Sequence, residues 1–249
     1  MNKFFYTLLA GALLLPTLAQ AQGFGLAYGN WDARVSGTIT DNGAKLNLDR
    51  DLGAHATNRN SYALHWDTGP GWWRPDIAAD YMRIQVAGNN QSTSGGLQFG
   101  GIVLAPGIST LLITHADIRD TGVTLRYPFT LGVVRAAAGV TVRRLDGDIR
   151  VQDSSGTAQS DQPVNKTFPM AHLRLELPLA PRLSLVASGN WIAGGGNRAN
   201  DFTAEARARI IGPLSISAGW RYKYYYVSSN GYLLDTRLQG LLLGARLDF

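Results

Sequence analysis

The chain has 249 residues, of which 45% are hydrophobic and 16% charged, and its formal net charge is +5. It contains no cysteine, which excludes disulfide bonds, thiolate metal sites and thiol catalysis. Its basic residues are scattered rather than gathered in runs, so we expect no nucleic-acid binding.

The first 21 residues have the pattern of a secretory signal peptide. Lys3 supplies the positive charge, residues 4–15 form an apolar segment, and Ala19-Gln20-Ala21 is a small-x-small cleavage site. We therefore expect residues 1–21 to be removed on export and residues 22–249 to form one domain. No later stretch has the run of about 18 apolar residues that a membrane-spanning helix needs.

Downstream, apolar and polar side chains alternate in segments of the length that a tilted membrane strand requires. About ten strands are predicted, with eight as the alternative, at 23–36, 60–68, 75–87, 110–127, 130–145, 167–178, 183–193, 201–211, 214–227 and in the last segment. Short, proline-bearing links alternate with longer ones, among them 37–59 and 146–166, that are rich in Gly, Asn, Ser and Asp. This alternation predicts up-and-down topology, with the short links as periplasmic turns.

The separation of faces is clearest in the segment 214–227. Leu214, Ile216, Ala218 and Trp220 fall on one face, while Ser215, Ser217, Gly219, Arg221 and Lys223 fall on the other. Helical spacing does not give this pattern, which is typical of an all-β transmembrane antiparallel barrel. Aromatic residues predicted to lie at the membrane interfaces are Trp72, Trp73, Trp191, Trp220, Tyr222, Tyr224 and Tyr226.

The last residue, Phe249, ends a strand in which Leu241, Leu243, Ala245 and Leu247 share one face. A terminal aromatic strand indicates export through the periplasm, with chaperones and the barrel-assembly machinery as partners during biogenesis. The predicted location is the outer membrane of a Gram-negative bacterium, where the barrel contacts lipid as a monomer.

Three segments carry a resemblance to a known family. They are LNLDRDLG at 46–53, RPDIAADYMRI at 74–84 and ITHADIRDTGVTLRYPF at 113–129. The chain resembles a family of uncharacterised proteobacterial outer-membrane β-barrel proteins with an Asp-Leu-Gly element in the first long loop. The resemblance implies fold and location, and it implies no activity.

With the polar face inward, the lumen receives more bases than acids. The predicted inward bases are Arg135, Arg143, Arg174, Arg207, Arg209, Arg221, Lys223 and Arg246, and the predicted inward acids are Asp67, Asp80, Glu176, Glu205 and Asp248. We expect these charges to pair across strands and fill a narrow barrel, because ten strands are close to the size that side chains can fill. The alternative is a narrow anion-preferring or small-solute channel, with the C-terminal arginines as its wall.

Two further classes stay open, a rim-located hydrolase and a surface adhesion or receptor protein. Candidate acid–base pairs are His65 with Asp67, His115 with Asp117, and His172 with Glu176, but the sequence has no nucleophile motif, so we predict no enzyme activity. The acidic segment 145–156 lacks the closing Glu of an EF-hand, so we predict neither a metal nor a cofactor. The loop 37–59 could extend a strand, plug the lumen or bind a partner.

Overall fold

The computed structural model describes residues 23–58, 60–68, 74–92, 97–104, 109–194, 197–229 and 232–249. The predicted signal peptide and the predicted interface residues Trp72 and Trp73 lie outside these described residues. Within them, no helix is long and apolar enough to cross a membrane.

Antiparallel β-strands make up almost all of the described chain. In order they are β1 (Gly23–Asp41), β2 (Ala44–Asn47), β3 (His55–Asn58), β4 (Asn60–Asp67), β5 (Asp76–Ser92), β6 (Leu97–Phe99), β7 (Ile102–Leu104), β8 (Thr110–Leu131), β9 (Val134–Asp153), β10 (Gln159–Ala180), β11 (Leu183–Gly194), β12 (Asn197–Ile211), β13 (Leu214–Ser229) and β14 (Tyr232–Asp248).

Ten wall positions form a closed barrel. Each long strand pairs with the next, and β14 returns to β1 in a continuous register from Gly25↔Asp248 to Asp41↔Tyr232. The strands β3 and β4 share one wall position. Strand β4 pairs with the first residues of both β1 and β5, and β3 pairs with β5 later along that strand. The predicted all-β, up-and-down antiparallel barrel of ten strands is therefore confirmed.

Several strands run further than the alternation predicts. The segment 146–166, predicted to be a loop, instead continues the β9–β10 hairpin up to the pair Gln152↔Gln159. The reason is visible in β9, where the apolar side chains lie on the outer face up to Val142 and on the inner face from Leu145 onward. Val140 and Val142 are exposed on the outer face while Arg143 is buried, but beyond them Leu145 and Ile149 are buried.

The barrel thus has two halves, which we call the turn half and the loop half. The turn half contains the short turns and both ends of the described chain, and its outer face is apolar, with exposed residues such as Leu125, Val142, Leu185, Ile216, Leu241 and Leu243. The loop half has the opposite arrangement: its outer face carries ion pairs such as Arg119 with Asp146 and Arg150 with Asp161. An apolar outer face suits lipid and a charged one suits water, so the turn half is the membrane-spanning part.

The loop half is filled by an apolar core and covered at its mouth. The first loop contributes Leu46, Leu48 and Leu52, which are all buried, and its backbone lies over Gly88 of β5. The β6–β7 hairpin adds buried Phe99, Ile102 and Leu104. Of the roles that the sequence left open for 37–59, the structure shows two, since β2 extends the wall and the leucines plug the lumen.

Candidate functional site in the barrel lumen

Four buried charges cross the lumen where the two halves meet. They are Asp120 on β8, Arg143 on β9, Asp201 on β12 and Lys223 on β13, and we call them the charged layer. Arg143 lies 2.5 Å from Asp120 and 3.3 Å from Asp201, and Lys223 lies 3.1 Å from Asp201 and also pairs with Asp120. Each acid therefore contacts both bases, which is what buried charges need.

Neighbouring side chains complete the charged layer. Arg221 binds Asp201 through two nitrogens, at 3.0 Å and 2.8 Å, and its guanidinium lies 5.6 Å from the ring centroid of Trp31. The Tyr225 hydroxyl donates to Asp120 at 2.6 Å, and Asp80 lies 3.0 Å from Arg143. The bidentate pair and the stacked guanidinium fix these side chains in one arrangement.

A chain of polar side chains lies beside the charged layer on the side of the turn half. Thr124 and Thr141 share a hydrogen bond of 2.7 Å, and Thr141 donates to Asn190 at 2.6 Å. Nδ1 of His172 lies 2.9 Å from the same Asn190 oxygen. These contacts join β8, β9, β10 and β11 across the lumen.

Between this network and the turns lies a cavity of about 480 Å³, which we call the vestibule. Arg126 pairs there with Asp67 at 3.3 Å, and two further charged pairs form between residues two apart on one strand. Arg174 lies 2.9 Å from Glu176, and Arg246 lies 2.5 Å from Asp248. The cavity opens at the end of the barrel where β1 begins and Phe249 ends the chain.

The structure places all eleven predicted lumen residues on the inner face. Arg143, Arg221 and Lys223 belong to the charged layer or contact it. The others line the vestibule or a smaller cavity that continues from it towards the charged layer: Arg135, Arg174, Glu176, Glu205, Arg207, Arg209, Arg246 and Asp248. Sequence reasoning missed Asp120, Asp201, Trp31 and Tyr225. Asp201 lies four residues before the inward Glu205 on β12, so the alternation of faces places it inward as well. The sequence therefore contained a signal for Asp201.

Of the three candidate acid–base pairs, two keep their members within electrostatic reach, His65 with Asp67 and His115 with Asp117, whereas His172 contacts Asn190. His115 and Asp117 lie on the outer face, where Asp117 pairs with Arg83. His65 lies 3.0 Å from Asp248 and also contacts Arg246. Within the described residues, no cluster of three or more His, Asp or Glu could hold a metal ion.

The interface aromatics within the described residues follow the predicted face. Trp191 and Trp220 are exposed on the outside of the barrel. Tyr222, Tyr224 and Tyr226 share the parity of Trp220 on β13, and the guanidinium of Arg237 lies 5.7 Å from the Tyr224 ring. These rings lie towards the loop half, where the outer surface changes from apolar to charged.

Neither a family model nor a curated protein matches the sequence. Among solved structures, the outer-membrane protease OmpT from Escherichia coli is similar at a TM-score of 0.55 and 10% identity, covering 92% of this chain and 97% of that one. The chain has the fold of an outer-membrane β-barrel.

Two autotransporter barrels are also similar. The transport unit of AIDA-I from Escherichia coli matches at a TM-score of 0.42 and 10% identity, covering 98% of this chain and 97% of that one. The translocator domain of NalP from Neisseria meningitidis matches at a TM-score of 0.40 and 11% identity, covering 98% of this chain and 95% of that one. At these identities the comparisons describe the fold and assign no activity.

Proposed function

We propose that this protein is an integral outer-membrane protein of structural or envelope type whose lumen does not conduct. In this proposal it spans the outer membrane of a Gram-negative bacterium as a monomer, with the short turns in the periplasm and the loop half outside the cell. It enters the membrane through the periplasmic chaperones and the barrel-assembly machinery, and its interior serves stability rather than transport.

The charged layer carries the proposal. Asp120 and Lys223 are fully buried, and Arg143 and Asp201 are nearly so, which leaves no water-filled path between them. An ion crossing this level would have to separate paired charges in a poorly solvated interior, which is costly. Above the layer, an ion would also have to cross the apolar core of the loop half.

The main alternative is a narrow anion channel. The vestibule is rich in arginine, as an anion pathway would require, but it ends at the charged layer. A channel would therefore need Arg143 and Lys223 to leave their acids and the first loop to withdraw its leucines. The closed barrel needs no such rearrangement.

Single-channel recording of the refolded protein in a planar bilayer tests the proposal. Folding and insertion are first verified by heat-modifiable migration on a gel, so that silence is informative. We expect a folded, inserted protein without conductance steps. Reproducible steps with anion preference would contradict the closed lumen, and Arg207→Gln would then be expected to change the selectivity.

A further inference from the structure

The vestibule is more basic than ion pairing requires. Seven arginines line it against four side-chain carboxylates. The arginines are Arg126, Arg135, Arg174, Arg182, Arg207, Arg209 and Arg246. A cavity that keeps this excess of positive charge attracts anions from the solution.

Deep in the vestibule, four guanidinium groups lie close together. Arg174 is within electrostatic reach of Arg126, Arg207 and Arg246, which repel it, and Arg207 also repels Arg246. The Arg126 side chain is only 10% exposed and pairs with Asp67 at 3.3 Å; its buried Nε lies 3.8 Å from Asp76 and makes no hydrogen bond to any residue that the structure describes. Each of the four arginines pairs with a carboxylate. A bound anion would offset the repulsion that remains between them and would accept a hydrogen bond from the Arg126 Nε.

At the mouth of the vestibule lie three more arginines, one of which, Arg135, is opposite Glu176 on the neighbouring strand. Within the described residues, Arg135, Arg182 and Arg209 form no ion pair within 4.0 Å. They come from β9, from the β10–β11 turn and from β12, so they lie along one arc of the opening, on adjacent strands of the wall. An anion entering from the periplasm would meet these side chains first.

The cavity also has depth. A continuation of about 200 Å³ runs inward past the small residues Ala27, Gly29, Ser61 and Ala63 and reaches Arg221. These small side chains leave an open space in the lumen, and Arg174, Arg207 and Arg221 line the same space. The vestibule itself, at about 480 Å³, lies within the range of small-molecule sites, roughly 300–1,000 Å³.

We propose that the vestibule is a blind binding site for a small phosphorylated solute taken from the periplasmic side. The guanidinium groups of Arg126, Arg174, Arg207 and Arg246 would hold a phosphoryl group, because planar donor forks match its oxygens. Arg135, Arg182 and Arg209 would bind further anionic groups nearer the opening. The inference goes beyond the closed-lumen proposal, since a site that ends at the charged layer binds its solute without passing it through the membrane.

Isothermal titration of the refolded protein in zwitterionic detergent, with inorganic pyrophosphate as the probe, tests this site. The test variant is Arg135→Gln with Arg209→Gln, which removes two arginines at the opening that form no ion pair within 4.0 Å among the described residues. The matched control is Arg119→Gln with Arg144→Gln, which removes the same charge from exposed outer positions of the loop half. We expect saturable 1:1 binding, weakened about tenfold or more in the test variant and unchanged in the control, because the test variant loses two charge-assisted contacts to the anion.

Three results would overturn the inference. The first is the absence of saturable binding to the wild-type protein, and the second is an equal loss of affinity in both double variants. The third is equal affinity for pyrophosphate and malonate, which would show that the arginines do not distinguish phosphoryl groups from carboxylates. Binding is measured without reference to conductance, so its failure and the failure of the closed-lumen proposal are separate results.

Discussion

At the residue scale, the interior is organised around Asp120. Its carboxylate accepts hydrogen bonds from Arg143 at 2.5 Å, from the Tyr225 hydroxyl at 2.6 Å and from Lys223. It is fully buried, as is Lys223. Loss of the negative charge would leave two buried cations with Asp201 as their main remaining partner, and a buried charge without a partner is strongly destabilising.

We therefore expect Asp120→Asn to lower the free energy of unfolding by about 3–5 kcal/mol. The substitution keeps the shape of the side chain and removes only the charge. Equilibrium urea unfolding in lipid vesicles, followed by tryptophan fluorescence, measures the change. Asp161→Asn is the control, because Asp161 pairs with Arg150 on the exposed outer face and its loss should have little effect. A loss below about 1 kcal/mol for Asp120→Asn would contradict this account of the charged layer.

The alternation of side chains predicted which residues face inward but could not predict their partners. Arg143, Arg221 and Lys223 follow from parity along their own strands. The pairing of Lys223 with Asp120 joins residues 103 positions apart and depends on closure of the barrel. Closure and strand stagger are properties of the whole sheet, so a single strand contains no signal for them.

At the scale of the strand, the most informative feature is the exchange of faces along β9. The period of two continues without interruption, but the apolar set moves from the outer face to the inner one beyond Arg143. The segment from Asp146 to Arg150 therefore has the composition of a loop although it forms a strand. Membrane strands are predicted from an apolar outer face, and this face is polar beyond Arg143. For this reason the sequence predicts a loop at 146–166, where the structure has a strand.

The exchange of faces predicts opposite responses at neighbouring positions. Ile149→Ala should lower the free energy of unfolding by about 2–5 kcal/mol, because Ile149 is buried in the apolar core of the loop half. Arg150→Ala, one residue further on the exposed outer face, should leave stability unchanged. Urea unfolding of both variants measures the difference, and equal effects would contradict the assignment of the core.

The turn half makes the complementary prediction. Ala206→Arg places a charge on the outer face of β12, among exposed apolar residues, and should cost roughly 2–4 kcal/mol if this level meets the hydrocarbon. Asn165→Arg is the control, because Asn165 lies on the exposed outer face of the loop half opposite Asp146. Refolding into vesicles at increasing urea gives both values. Similar free-energy costs for the two variants would contradict the assignment of the turn half to the membrane.

At the scale of the whole molecule, the barrel is a membrane protein in one half and resembles a water-soluble barrel in the other. The sequence predicted the ten strands, the topology and the polar lumen, because those follow from local alternation and from the lengths of the links. It left open whether the loop 37–59 plugs the lumen, and it did not predict the apolar core or the covering hairpin, because Leu46, Leu52 and Phe99 come from segments with loop composition. Their burial depends on contacts between distant parts of the chain.

The central claim is that the lumen is closed between the vestibule and the outside, and cysteine accessibility tests it most directly. The chain has no cysteine, so single substitutions give a clean background. A small anionic methanethiosulfonate reagent, supplied on both sides of the membrane, should modify Ser184→Cys in the vestibule and His115→Cys on the outer face. Thr114→Cys, buried in the loop-half lumen, should stay unmodified. Modification of Thr114→Cys at the rate of Ser184→Cys in a folded protein would show a continuous water path and contradict the closed barrel.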